Sequence, residues 1–171
     1  MVRRSIIMRY TRFAKPEGAH DTAFMKLLKT LYSVDDISVE IKKGHGGDQK
    51  SIVREAVVRV GDFDERIAIM DGDRPENEMR EADDYASENG VKIIRIRPCC
   101  EKMLIQILEP NKRTAGWSSQ RLKDYFCENY ISEEKRADMT AYKAKFPKNL
   151  LDEARERIPE LDTLIRLFEE K

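Results

Sequence analysis

The period of the apolar positions changes along the chain, and with it the element each stretch predicts. Residues 4–10 (RSIIMRY) read as a short first strand. Residues 11–18, broken by Pro16 and Gly18, read as the loop after it. Asp21 stands where a helix N-cap would, ahead of Phe24, Leu27, Leu28 and Leu31 at i, i+3, i+4 and i+7. Residues 37–41 (ISVEI) alternate apolar and polar, the pattern of a half-buried strand. The loop Gly44-His45-Gly46-Gly47-Asp48 leads to a helix capped by Asp48 or Ser51, with Ile52, Val53, Ala56, Val57 and Val60 apolar and Gly61 as its stop. Residues 66–70 (RIAIM) form the clearest strand. A helix over 76–88 follows, with Met79, Ala82, Tyr85 and Ala86 on one face and Asn89-Gly90 at its end. The β-branched residues of 91–96 form the next strand, Pro98 ends it, and a helix over 99–108 comes after. Strands alternating with helices predict an α/β fold: a parallel four-stranded sheet with covering helices.

Past Pro110 the pattern becomes helical throughout. A polar loop over 111–116 precedes a helix that starts at Ser118 or Ser119 and reaches Cys127. Ser132 opens another helix over 133–145. Beyond Pro147 a last helix carries Leu150, Leu151, Ala154, Ile158, Leu161, Leu164, Ile165 and Phe168. The expected organisation is an α/β domain over 1–110 and a C-terminal helical extension over 111–171 packed on it. At 171 residues the chain can bury a core without disulfides or structural metal.

Composition narrows the function classes. No stretch of 18 or more apolar residues exists, which predicts no membrane span, and the apolar run at 6–8 is too short for a secretory signal. Three cysteines, Cys99, Cys100 and Cys127, without C-x-x-C spacing read as reduced thiols of a cytoplasmic protein. The 32 basic and 32 acidic residues cancel, which argues against nucleic-acid binding by bulk charge but leaves a local basic groove open. Lys42, Lys43, Lys50 and Arg54 flank the 44–48 loop, and Lys112, Arg113, Arg121 and Lys123 lie in the extension; either set could follow a phosphate backbone or be a solvated face.

In open α/β sheets, sites form at the carboxyl ends of the strands. The strand at 66–70 delivers Asp71-Gly72-Asp73 to that edge. Alternation points the two carboxylates the same way, and Gly72 lets the backbone approach a ligand. Paired carboxylates suit a hard cation such as Mg²⁺, although Asp and Gly are equally the residues of an ordinary turn. Glu101, in the first turn after Pro98, is either favoured by the helix dipole or faces the same crevice. Cys99 and Cys100 at that helix start are expected to be small core residues with somewhat lowered pKa values. His45 reads as a loop histidine, and Trp117 as a residue packing the extension onto the core.

Asp71-Gly72-Asp73 after a strand, then Arg97-Pro98-Cys99-Cys100-Glu101-Lys102-Met103-Leu104 at a helix start, resembles the RloB-like family of Toprim-related proteins, whose members carry an N-P-C-F-E-L-W-L-type segment. Gly47 and Asp48 ahead of Ser51-Ile52-Val53 and Ala56 add to the likeness, which spans most of residues 4–108. The resemblance implies a Toprim-like core, Mg²⁺-dependent (or Mn²⁺-dependent) phosphodiester chemistry on DNA or RNA, and a setting in prokaryotic or phage defence beside an ATPase partner. It implies Asp71 and Asp73 as metal ligands and Glu101 as a residue orienting the metal or its waters. The family also has a Glu-Gly turn at the end of its first strand. Here the nearest such pair is Glu17-Gly18, set apart from the expected first strand by an apparent insertion, with His20 and Asp21 close behind. If Glu17 folds back over the strand ends it is acid/base or third ligand; if it does not, Arg9 or Arg12 faces the aspartates and replaces the metal. The expected function is a divalent-metal-dependent nuclease, and the rival is a catalytically degenerate scaffold that binds a partner protein.

Overall fold

The structure, a computed structural model, describes residues 9–171. Four parallel strands, β1 (Tyr10–Pro16), β2 (Ile37–Ile41), β3 (Glu65–Asp71) and β4 (Val91–Ile96), form one sheet in the order β2-β1-β3-β4. Helices α1 (Ala19–Tyr32), α2 (Gln49–Val58) and α3 (Glu76–Glu88) make the crossovers, and α4 (Cys100–Leu108) follows β4. The α/β class and the all-parallel sheet are those the alternation predicts, and they are consistent with a Toprim-like core.

Alternation along the strands sorts the core into two layers. Ala14, Ile67, Ile69, Ile94 and Ile96 face α1 and α4, while Phe13, Ala68 and Met70 face Ile52, Val53 and Ala56 of α2 and Ala82 and Ala86 of α3. Val60 lies outside α2 and is 88% exposed, so it is not part of the apolar face it was expected to extend.

The first strand is displaced from its expected place. Of the predicted 4–10, residues 4–8 lie outside the described residues, and β1 occupies 10–16, most of the stretch read as a loop. Pro16 and Gly18 mark the stretch as a loop, and two buried cations, Arg12 and Lys15, add to the disguise. Arg12 pairs with Glu65 and donates to the carbonyls of Leu167 and Glu170; Lys15 donates to the Lys43 carbonyl at 2.9 Å and pairs with Glu55 at 3.0 Å. Each charge is thus compensated inside a parallel strand, where an apolar run is the rule. Pro16 is tolerated as the last residue of β1.

The extension contributes α5 (Ser119–Asn129), a 3₁₀ turn (Glu133–Lys135), α6 (Met139–Lys145), α7 (Lys148–Arg155) and α8 (Pro159–Glu169). The single helix expected over 133–145 is divided because Asp138 caps a new one, accepting from the Thr140 N–H at 2.9 Å. The last expected helix is likewise divided, with Pro159 opening α8. Phe126, Tyr142, Phe146, Leu151 and Phe168 join Phe24, Leu28 and Ile69 in one apolar cluster, so the extension covers the α1–α4 face. Among the described residues no helix is long and apolar enough to cross a membrane.

Candidate functional site

With β1 ending at Pro16, Glu17-Gly18 follows the strand directly. No insertion separates them, and Arg12 lies back along β1 among Glu65, Leu167 and Glu170 instead of facing the aspartates. The backbone at Glu17 is fixed from several sides. Its N–H donates to the Ile69 carbonyl at 2.9 Å and its carbonyl accepts from Gly46 N–H at 2.8 Å. Gly44 packs so closely that a Cβ there would stand 2.5 Å from the Pro16 and Glu17 carbonyl oxygens. The Glu17 side chain then reaches across the strand ends. Oε2 accepts from the Asp71 N–H at 2.9 Å and Oε1 from Arg74 at 2.7 Å.

Asp71 continues the alternation of Ile67 and Ile69, and its Oδ1 accepts from the Cys100 N–H at the start of α4 at 2.9 Å. Gly72 is needed for closeness to β4, not to a ligand: its N–H donates to the Ile96 carbonyl at 2.8 Å, and a Cβ would meet Arg97 Cγ at 2.6 Å. Asp71 Oδ2 and Asp73 Oδ2 both approach the Lys123 ammonium, at 3.8 and 3.6 Å. Lys123 comes from α5, so the extension supplies a cation to the strand-end carboxylates.

Behind this pair lies a second layer, in which Glu101, expected to orient a metal or its waters, meets His20 and Asp21. Gly18, not Asp21, is the N-cap of α1; Asp21 is the third helical residue, and its Oδ2 accepts from the Gly18 N–H at 2.8 Å. His20 Nε2 stands 3.0 Å from Glu101 Oε1 and 3.6 Å from Asp21 Oδ1. Asp21 and Glu101 are only 5% and 4% exposed, yet Asp21 Oδ1 and Glu101 Oε2 have no hydrogen-bond partner. Gln49, wholly buried, donates to the Asp71 carbonyl at 2.7 Å and accepts from Arg95 at 3.0 Å, holding the end of β3. The helix starts at Asp21 and Glu101 were the sequence signals for this layer; nothing local marked Gln49, and Lys123 stood out only as one of a basic set.

Crowded carboxylates in a buried site perturb one another. Burial, then the charges of Asp21, Glu101 and Glu17, push the Asp71 carboxyl up to about 8. The Lys123 charge, beyond hydrogen-bond reach, is outweighed by these. Burial opposes charge on His20, but Asp21 and Glu101 outweigh it and push the imidazole up to about 9. Burial likewise opposes charge on Glu101, and His20 outweighs it, leaving this carboxyl below its ordinary value. Cys99 does not have the lowered pKa expected of a helix start: burial and the Glu101 charge push it up to about 12, and Cys100 is also raised by burial.

Two cavities flank the cluster. One, of about 540 Å³, includes His20, Glu101, Lys123 and Arg136; the other, of about 250 Å³, includes Glu17, Asp21, His45 and Asp71. His20, Lys123 and Arg136 border both. Among the described residues no three His, Cys, Asp or Glu side chains converge as a ready-made metal cage. The donors are nonetheless of the kind a hard cation takes, carboxylate oxygens, and the buried ones without partners, on Asp21 and Glu101, lie beside the Asp71–Asp73 pair. The basic residues do not form one track. Lys42 pairs with Glu55, Lys50 lies over Tyr85, Arg121 lies 4.2 Å from the Trp117 ring, and Lys112 donates to Tyr125. Compared with protein-family models, with curated proteins and with solved structures, the chain matches none.

Proposed function

We propose that the protein is a divalent-metal-dependent nuclease acting on DNA or RNA, with the strand-end carboxylates as its centre. The observation that carries this reading is the position of Glu17-Gly18, immediately after β1 and hydrogen-bonded to the backbone of Asp71 at the end of β3. Asp71 and Asp73 would hold Mg²⁺ or Mn²⁺. Glu17 is the third ligand once Arg74 swings aside from Oε1. A bound cation of this kind polarises a phosphoryl oxygen and lowers the pKa of water.

The chain's own groups supply the rest. Glu101 is the charge partner of His20, its Oε1 lying 3.0 Å from Nε2. His20 opens onto both cavities and carries a proton at neutral pH, so it is better placed than Glu17 to donate to a leaving oxygen. Asp21 fixes the Gly18 turn that aims Glu17. The resemblance to defence-associated proteins would place the enzyme in the cytoplasm beside an ATPase partner.

The scaffold reading has its own support: Arg74 already answers Glu17, and Lys123 already answers Asp71 and Asp73. The full chain, with and without a co-purifying ATPase, is incubated with single- and double-stranded DNA and RNA in Mn²⁺ or in EDTA. Cleavage that needs metal and is lost in Asp71→Asn supports the enzyme. No cleavage under any condition, with partner binding unchanged in Asp71→Asn, supports the scaffold.

A further inference from the structure

We infer that Lys123 is the resident cation of the strand-end carboxylates, held where a divalent ion would bind and competing with it for Asp71 and Asp73. This rests on the reading above that those two residues hold the ion. The cluster gathers Glu17, Asp21, Asp71, Asp73 and Glu101 from the ends of β1 and β3 and the starts of α1 and α4. His20 answers Glu101 and Asp21, and Arg74 answers Glu17. Lys123 is the cation that reaches Asp71 and Asp73, and it alone of these comes from the extension.

Its geometry is that of a counter-ion, not of a bonded partner. At 3.8 and 3.6 Å from the two carboxylates, the ammonium lies between them and hydrogen-bonds to neither. The α5 backbone that carries it is anchored independently. Ser118 caps the helix, accepting from the Arg121 N–H at 3.2 Å, and Leu122 and Phe126 are buried in the common core. The lysine side chain itself is 36% exposed and borders both cavities. It can swing out on its flexible stem without α5 leaving the core.

The charge balance favours exchange. With Asp71 ionised, five carboxylates share the cluster with His20, Arg74 and Lys123, while Arg136, which borders both cavities, is paired with Glu133; a monovalent ammonium then leaves the cluster short of positive charge. Asp21 and Glu101, which line the same cavities, each keep one buried oxygen without a hydrogen-bond partner. A doubly charged ion entering between Asp71 and Asp73 repels Lys123 at close range and displaces it. In this arrangement the extension keeps the carboxylates together before metal arrives and sets how much metal is needed.

Mn²⁺ binding to the full-length protein, measured by the electron paramagnetic resonance of free Mn²⁺ at pH 8 and low salt, tests this. Removing one positive charge about 4 Å from the site should tighten Mn²⁺ binding by about tenfold or more in Lys123→Gln. Lys123→Arg, which keeps the charge, should stay within about threefold of the parent. Asp71→Asn/Asp73→Asn should abolish the binding in either background. If Lys123→Gln binds Mn²⁺ no more tightly than the parent, while binding still requires Asp71 and Asp73, the competition is refuted and the metal site stands. If neither parent nor Lys123→Gln binds Mn²⁺ at millimolar concentration, the metal site itself is refuted and the competition with it.

Discussion

Asp71→Asn isolates the electrostatic cost of the cluster. The Asp71 carboxyl is buried, and burial followed by the charges of Asp21, Glu101 and Glu17 raises it to about 8. In the unfolded chain it titrates near ~3.9. Between those values the folded protein holds a proton that the unfolded protein has lost. Stability therefore falls as pH rises through this window, by about 1.4 kcal/mol per pH unit where the difference is one full proton. Asp48, Glu101 and Asp152, whose carboxyls lie below their ordinary values, act with the opposite sign. They are ionised in both states above about pH 5, so their slope is confined to more acid conditions. His20, raised to about 9, contributes stability that is complete below its unfolded value of ~6.5 and is lost as pH rises through 9. The range from about pH 5 to 6.5 therefore reports on Asp71, with a fall of about 2 kcal/mol across it.

Asparagine keeps the shape of Asp71 and an oxygen for the Cys100 N–H, but it does not titrate. Urea unfolding followed by circular dichroism in EDTA, at half-unit steps from pH 5 to 8.5, measures the slope. The parent should lose stability from pH 5 to 6.5 while Asp71→Asn stays flat there, and at pH 7.5 the variant should match or exceed the parent. Above pH 6.5 both should decline through His20, the parent also through Asp71 up to about pH 8, and in the Asp71→Asn background His20→Gln should remove the decline. A parent whose stability is constant or rises from pH 5 to 6.5, or an Asp71→Asn protein that keeps the slope, would refute the electrostatic account of the cluster.

Three further outcomes follow from packing and burial. Ile69→Ala, in the middle of β3 with its side chain buried, should cost roughly 2–4 kcal/mol in urea unfolding, and a cost below about 0.5 kcal/mol would mean β3 is not central. Gly44→Ala should destabilise by roughly 1–3 kcal/mol, because its methyl group would lie 2.5 Å from the Pro16 and Glu17 carbonyl oxygens; an unchanged midpoint would show that the Glu17 turn is not clamped there. Iodoacetamide at pH 8 should label Cys127 in the native protein and leave the buried Cys99 and Cys100 unmodified, and labelling of Cys99 at the rate of Cys127 would contradict its raised thiol and its burial.

What the sequence makes legible follows from how far each signal travels. Ile37–Ile41, Glu65–Asp71, Glu76–Glu88 and Val91–Ile96 are set by local alternation or helical spacing, and such patterns survive in the linear sequence. β1 is hidden because its polar positions are satisfied from far away. Arg12 is balanced by Glu65 and by carbonyls near residue 170, and Lys15 by Lys43 and Glu55. Pro16 and Gly18 mark the segment as a loop in the linear sequence, and its charges do nothing to correct that; in the fold the charges are neutralised and the segment is a strand that ends at Pro16. Moving that strand by a few residues changes the chemistry, since it turns Glu17 from a distant loop residue into the immediate neighbour of Asp71.

The same long-range dependence explains the rest of the site. Asp71, Asp73 and Glu101 announce themselves by sitting at the end of a strand or the start of a helix, because those positions have local sequence signatures. His20 and Asp21 fall into place only once α1 is known to start at Ala19, one turn earlier than an Asp21 cap would allow. Lys123 is the lysine of α5 and reads in the sequence only as one of a basic set in the extension; its meaning arises from α5 lying against the α/β core so that its ammonium meets Asp71 and Asp73. A strand-end pair of aspartates is therefore only half of a site description. The other half is the source of positive charge, and here it is delivered by a helix about fifty residues later in the chain, so a variant lacking the extension would lose the cation nearest Asp71 and Asp73 as well as the cover of its apolar face.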